Sequence, residues 1–193
     1  MNTSAYWDQV FREKGLKDNI HKRQEVVSRI MNTNHIGARV LEVGCGVGVA
    51  ASAVLTTLLG SMLYVGTDVS SVAVEAAKTR FMLNTFHTDM SFLPRIEGGY
   101  TRIWLFDVLE HIPYDERKQG YKQLREVMAD NCVVLINAPW ATNPSQHDPN
   151  FDFKWDLKDL QELVTVAGLE VIKIDVYQRF DHSYYWIEAR KGA

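Results

Sequence analysis

Apolar residues along this chain fall into short unbroken runs that alternate with stripes spaced three or four apart. The run Val40-Leu41-Glu42-Val43, interrupted by one acid, reads as a buried strand over 39–43. Gly44, Gly46 and Gly48 follow at alternate positions, a turn in which backbone can approach a ligand with no Cβ in the way. Val49 to Leu59 is mostly Ala, Val, Leu and Thr with no proline, as suits a buried helix. Further strands are predicted at 62–67, 85–88, 102–106, 132–136, 169–178 and 184–190. Ser4 is placed to cap a first helix that Gly15 ends, with Tyr6/Val10 and Trp7/Phe11 as i,i+4 pairs on one face. Other helices are predicted over 20–31, from Ser70 or Ser71 to 81, over 114–128, and over 157–167 before Gly168. The link 179–183 is so short that the last two strands must form an antiparallel hairpin.

Strands alternating with helices predict an α/β fold, a doubly wound, Rossmann-like seven-stranded sheet with an antiparallel last strand. The length of 193 residues suits a single domain, 1–193. The stretch 138–154 carries no helical or strand pattern, and loops this long inside a compact domain are usually functional.

Composition narrows the partners. The chain is 46% hydrophobic and 23% charged, with a net charge of −3, so no nucleic-acid partner is expected. The basic residues Arg12, Lys14, Lys17, Lys22 and Arg23 interleave with Glu13, Asp18 and Glu25, the pattern of a solvated helical face. Cys45 and Cys132 have neither the number nor the spacing of a disulfide framework or zinc site. No metal site is expected, and a reducing, cytoplasmic setting follows. Met1 to Val10 lacks the features of a signal peptide, and no apolar run approaches a membrane span, so no membrane partner is expected.

Ligands of such sheets lie beyond the carboxyl ends of the strands. There the chain places Gly44, Asp68, Asp89 and Asp107 after successive strands. Three carboxylates would repel a polyphosphate that had no counter-charge. They suit a ribose diol at Asp68, an exocyclic adenine amine at Asp89 and a cationic ligand overall.

These motifs together resemble class I S-adenosylmethionine-dependent methyltransferases. Glu42-Val43-Gly44-Cys45-Gly46-Val47-Gly48 is similar to the family's first motif. Gly66-Thr67-Asp68-Val69-Ser70 resembles its second-strand acid, and Thr88-Asp89-Met90 its adenine-contacting element. Phe106-Asp107-Val108-Leu109-Glu110-His111-Ile112 resembles the fourth-strand motif of the small-molecule, ubiquinone-biosynthesis-like branch. The resemblance spans about residues 36 to 190. It implies S-adenosylmethionine as cofactor, held by Glu42, Gly44, Gly46, Gly48, Asp68, Val69, Asp89, Met90 and Asp107. It also implies that 1–35 is a helical lid and 36–193 the catalytic core; Tyr6 and Trp7 either lie over the sulfonium or belong to a helix that simply packs on the core. An aromatic face beside a sulfonium is attractive through cation–π interaction.

The expected reaction moves a methyl group to an O or N atom of a small-molecule acceptor by in-line displacement. His111 is placed as a general base or as a pocket wall. His147, in the loop 138–154, is placed to position or deprotonate the acceptor, or else is solvated. Trp140, Phe151, Phe153 and Trp155 either line an apolar pocket or anchor that loop. The protein is expected as a monomer or homodimer. An NAD(P) oxidoreductase is the first alternative, because Gly46-Val47-Gly48-Val49-Ala50-Ala51 also fits G-x-G-x-x-A with Asp68 22 residues after Gly46. The second is a non-catalytic S-adenosylmethionine-binding module.

Overall fold

The computed structural model describes residues 3–13, 20–33, 35–58, 61–139, 155–179 and 182–192. A seven-stranded sheet has the order β3-β2-β1-β4-β5-β7-β6. The chain divides into two compact units, Met1–Asp89 and Met90–Ala193.

The first unit holds α1 (Thr3–Glu13), α2 (Ile20–Met31), β1 (Arg39–Val43), α3 (Val49–Thr57), β2 (Leu63–Asp68), α4 (Ser71–Phe81) and β3 (Thr85–His87). β1, β2 and β3 run parallel, with Val43 beside Thr67 and Asp68 beside His87. α2 buries Val26 and Ile30 completely, the i,i+4 pair its sequence stripe predicts. Val27 and Met31, the apolar residues next to them in the sequence, stay partly exposed. Ser70 caps α4 by accepting the Ala73 amide at 3.2 Å. Ser4, predicted as a cap for α1, instead sits inside its first turn.

The second unit contains β4 (Tyr100–Phe106), α5 (Tyr114–Val127), β5 (Met128–Pro139), α6 (Leu157–Ala167), β6 (Leu169–Arg179) and β7 (His182–Lys191), with 3-10 turns at Met90–Phe92 and Leu109–His111. β4 and β5 are parallel, whereas β7 is antiparallel to both β5 and β6. α6 begins in a capping box between Asp156 and Asp159 and ends at Gly168, whose φ of 65° is left-handed. β5 is much longer than the expected 132–136, because it starts directly where α5 stops. Ala129, Asp130 and Asn131 look like turn residues locally. Pairing of Met128 with Tyr100 and the Lys191–Asp130 contact at 3.0 Å hold them in the strand.

Candidate functional site

In the first unit the glycine turn is built by hydrogen bonds that run back into its own strands. Gly44, Gly46 and Gly48 have φ of 73°, 52° and 80°, values that disfavour any residue with a Cβ. The Gly44 and Cys45 amides both donate to the Thr67 carbonyl, at 2.8 and 2.9 Å. The Gly48 amide donates to the Cys45 carbonyl at 3.0 Å. The Gly46 amide donates to Asp68 Oδ2 at 2.8 Å. Asp68 is buried, and its Oδ1 accepts the Ser70 amide at 2.8 Å. The carboxylate predicted to meet a ribose therefore also staples the glycine turn to the start of α4. Each of its oxygens has two lone pairs, so this leaves acceptor capacity for a ligand.

α1 lies over this turn. A Cβ added at Gly46 would come within 3.7 Å of the Phe11 ring. Phe11 packs with Phe81 against Val47, Val49, Ala73 and Ala76. Tyr6 and Trp7 form an edge-to-face pair with ring centroids 5.2 Å apart, and both are partly exposed. Asp8 fixes the helix in place. Its Oδ1 accepts the Ser70 hydroxyl at 2.7 Å and the Val72 amide at 3.2 Å, and its Oδ2 accepts the Ser71 hydroxyl at 3.0 Å. Burial works to raise the Asp8 pKa, but hydrogen bonds from Ser70, Val72 and Ser71 and the charge of Arg12 bring it below the ordinary value. His87 adds a second tie between the same elements: its Nε2 lies 3.4 Å from the Ser4 hydroxyl and 3.0 Å from the Val69 carbonyl. The Tyr6-Trp7 pair is visible in the sequence. The partners of Asp8 and His87 are not, because they lie far away along the chain.

Glu42 is buried beneath the turn, where its Oε2 accepts the Tyr64 hydroxyl at 2.6 Å. Burial and the Glu42 charge push the Tyr64 phenol well above its usual pKa. Burial, with the charges of Asp68 and Glu42, does the same to the Cys45 thiol. Gly66 is required here, since a Cβ would lie 2.6 Å from Tyr64 Oη and 3.0 Å from Cys45 Sγ. Val69 is partly exposed, and Asp89 is exposed beyond β3.

In the second unit, Met90 is buried and its side chain meets α5, where a Cβ at Gly120 would fall 2.9 Å from Met90 Cγ. Asp107 has a φ of 52°, left-handed backbone that is uncommon for a non-glycine residue, though aspartate tolerates it better than most, and hydrogen bonds hold it there. The constraint comes from Asn137, missed in the sequence reading and wholly buried in β5. The Asp107 amide donates to the Asn137 carbonyl at 2.9 Å, the Asn137 amide group donates to Asp107 Oδ1, and the Tyr177 hydroxyl donates to Asn137 Oδ1.

His111 closes the 3-10 turn after Asp107, with Nε2 4.0 Å from Glu110 Oε1. Arg117 is buried in α5 and holds this turn from behind: its Nε donates to the Ile112 carbonyl at 2.9 Å, while a terminal nitrogen donates to Asp159 at 2.6 Å. Trp155 is buried edge-on to Tyr185 at 6.5 Å, an anchoring position. Trp140, His147, Phe151 and Phe153 lie outside the described residues.

A family model described as a methyltransferase domain matches residues 40–131, from β1 through the start of β5. The matched segment holds the glycine turn, Asp68, Asp89 and Asp107, the positions at which the sequence resembles class I S-adenosylmethionine-dependent methyltransferases. No curated protein sequence matches the chain.

Solved structures extend the likeness beyond the matched segment. One is a chain from the complex between the Haloferax volcanii Trm112 methyltransferase activator and a methyltransferase. It has a TM-score of 0.77 at 14% identity, covering 100% of this chain and 97% of the other. Magnesium protoporphyrin IX methyltransferase (ChlM) from Synechocystis PCC 6803, with bound S-adenosylmethionine, gives 0.71 at 18% identity, covering 98% and 93%. The [4+2]-cyclase SpnF gives 0.73 at 16% identity, covering 88% and 80%. Identities this low establish the shared fold of the methyltransferase domain, and a cyclase among the neighbours illustrates that the fold alone does not choose the reaction.

Proposed function

We propose that this domain moves the methyl group of S-adenosylmethionine to an O or N atom of a small-molecule acceptor. The observation that carries the cofactor side is the fate of the turn's amides. A phosphate cradle needs backbone N–H groups aimed outward at the ligand. Here Gly44, Cys45, Gly46 and Gly48 all donate within the protein, and Gly46 donates to a carboxylate. The turn therefore offers a small floor beside a buried negative charge. That suits a cationic amino-acid nucleoside and disfavours the pyrophosphate of a dinucleotide.

In this assignment Gly44, Gly46 and Gly48 form the floor, with Glu42 and Tyr64 supporting it from below. Asp68 accepts the ribose hydroxyls with its remaining lone pairs, Val69 lies beside them, and Asp89 accepts the adenine amine, with Met90 next to it. Tyr6 and Trp7 cover the sulfonium from α1. Asp107 presents backbone to the methionine end, its left-handed conformation held by Asn137. Bound S-adenosylmethionine supplies an electrophilic methyl group. His111 takes the acceptor proton or shapes the acceptor pocket, and His147 is a second candidate for the proton. The small-molecule assignment is supported by the net charge of −3, by the Asp107-to-Ile112 motif, and by a neighbour named for its action on magnesium protoporphyrin IX.

The test is calorimetric titration with S-adenosylhomocysteine and with NADH, followed by incubation with methyl-labelled S-adenosylmethionine and fractionated cell extract. S-adenosylhomocysteine should bind, and label should enter the small-molecule fraction. Binding of NADH alone would overturn the cofactor assignment. Label in protein or nucleic acid would overturn the acceptor class, and binding without turnover would make the domain a non-catalytic module.

A further inference from the structure

β6 ends the strand order of the sheet, so its outer side has no strand partner among the described residues. It is 11 residues long and leaves Ile172 55%, Ile174 45% and Val176 51% exposed. Long apolar edges invite pairing, and proteins usually blunt them with charge, proline or a bulge. β6 has a bulge between Val171 and Lys173, and it has Lys173 itself. Lys173 is neutralised on its own strand, however, by Asp175 at 2.8 Å.

Ile172-Lys173-Ile174-Asp175-Val176 reads the same in both directions in hydropathy and reads as opposite charges about Ile174. An isologous interface requires such self-complementarity, with residue i meeting j and j meeting i. Antiparallel pairing of two copies about an axis at Ile174 sets Lys173 opposite Asp175 of the second copy, twice over. It also sets Ile172 opposite Val176 and Ile174 opposite itself. Moving the axis to Asp175 would oppose two carboxylates, and moving it to Lys173 would oppose two ammonium groups, both unfavourable. Parallel in-register pairing would likewise match like with like. The apolar side is continuous with a buried face, since Ile174 pairs with Ile187 and Val176 with Tyr185 in β7. The charges that deter an unrelated strand are thus attractive to a second copy of this one.

We propose that β6 is a homodimer interface, with two copies pairing antiparallel through Ile172–Val176. The interface stands independently of the reaction proposed above, because it uses neither the glycine turn nor the histidines.

Sedimentation analysis of the full chain over a concentration series tests it. Wild type should pass from the 22.1 kDa monomer towards twice that mass. Lys173→Asp and Asp175→Lys should each weaken dimerisation by about tenfold or more, since each sets like charges opposite one another at two places. The double variant Lys173→Asp/Asp175→Lys restores complementarity and should dimerise again. Circular dichroism and thermal denaturation verify folding, and Val176→Glu replaces any single variant that fails to fold and should be monomeric. A wild type that stays monomeric to its solubility limit overturns the proposal. So does association that the single variants leave unchanged, or a folded double variant that remains monomeric.

Discussion

The Asp8 carboxylate accepts the Ser70 hydroxyl at 2.7 Å, and this contact begins a relay through the first unit. Ser70 donates its amide to Asp68, and Asp68 in turn accepts the amide of Gly46. The relay therefore connects α1, the start of α4 and the glycine turn through side-chain oxygens, so a change at one end is felt at the other. Asp8→Ala should release α1 and speed amide exchange over residues 3–13. It should also weaken S-adenosylhomocysteine binding by roughly tenfold, the cost of one lost charge-assisted hydrogen bond. Exchange mass spectrometry and calorimetry measure the two effects.

The same group sets a pH limit. Asp8 has a pKa below its ordinary value in the folded chain, so its stabilising contribution is complete above the unfolded value of about 3.9 and is lost as pH falls through the folded value. Docking of α1 should hold through neutral and mildly acidic pH and fail only below about pH 4. Carbon NMR titration of the Asp8 carboxyl, with Asp8→Asn as control, reads this directly.

Asp68→Ala leaves the Gly46 and Ser70 amides without their carboxylate. Each buried unsatisfied amide costs about 1–3 kcal/mol, so both thermal stability and cofactor affinity should fall sharply. Asp68→Asn keeps one acceptor oxygen but turns an NH2 group towards the other amide, and should fall between Ala and wild type. Affinity for S-adenosylhomocysteine like wild type in the Ala variant would remove Asp68 from the site.

Gly48→Ala combines two faults. Its φ of 80° is left-handed, and an added Cβ would overlap Leu83 Cδ1 and lie 3.2 Å from Ala77 Cβ. Strain of this kind costs about 1–3 kcal/mol for the backbone alone, with overpacking added. A lowered denaturation midpoint together with weakened cofactor binding is the expected outcome.

Arg117→Ala should be among the most damaging changes outside the glycine turn. It strips Asp159 of its ion-pair partner and the Ile112 carbonyl of a donor, and it removes the guanidinium 4.3 Å above the Tyr114 ring. Breaking a buried pair in this way costs about 3–5 kcal/mol, which lowers Tm by roughly 10 °C at this chain length. Lys at this position should recover only part of the loss, because it lacks the planar fork that reaches both acceptors.

Both cysteines should be silent in the native protein. Burial pushes the Cys132 thiol up to about 12, and Cys45 is raised by burial and by the charges of Asp68 and Glu42. A thiol-specific chromogenic reagent at pH 8 should leave both unmodified, and both should react after denaturation. Rapid labelling of either in the folded state would contradict the burial described.

Hydropathy along the chain determines a great deal by itself. α2 and α6 begin and end where the apolar stripe and the Gly168 stop place them, and β1 occupies 39–43 as its apolar run predicts. Those signals are local: a stripe, a cap or a glycine stop acts within a few residues. The glycine turn and the acids at 68, 89 and 107 are also legible, because strand ends are marked locally. What only the tertiary structure decides is how these residues are held. β5 extends to Met128 because Tyr100 of β4 pairs with Met128 and Lys191 holds Met128 and Asp130, at the edge of and within a stretch that looks locally like a turn. Asp8, Asn137 and Arg117 gain their roles from partners 62, 30 and 42 positions away. No periodicity records such contacts, since each depends on the close approach of backbones whose separation along the chain carries no signal. The glycine turn's character belongs to this second class: its residues mark a ligand-binding turn, but where its amides point is set by Thr67 and Asp68 across the sheet.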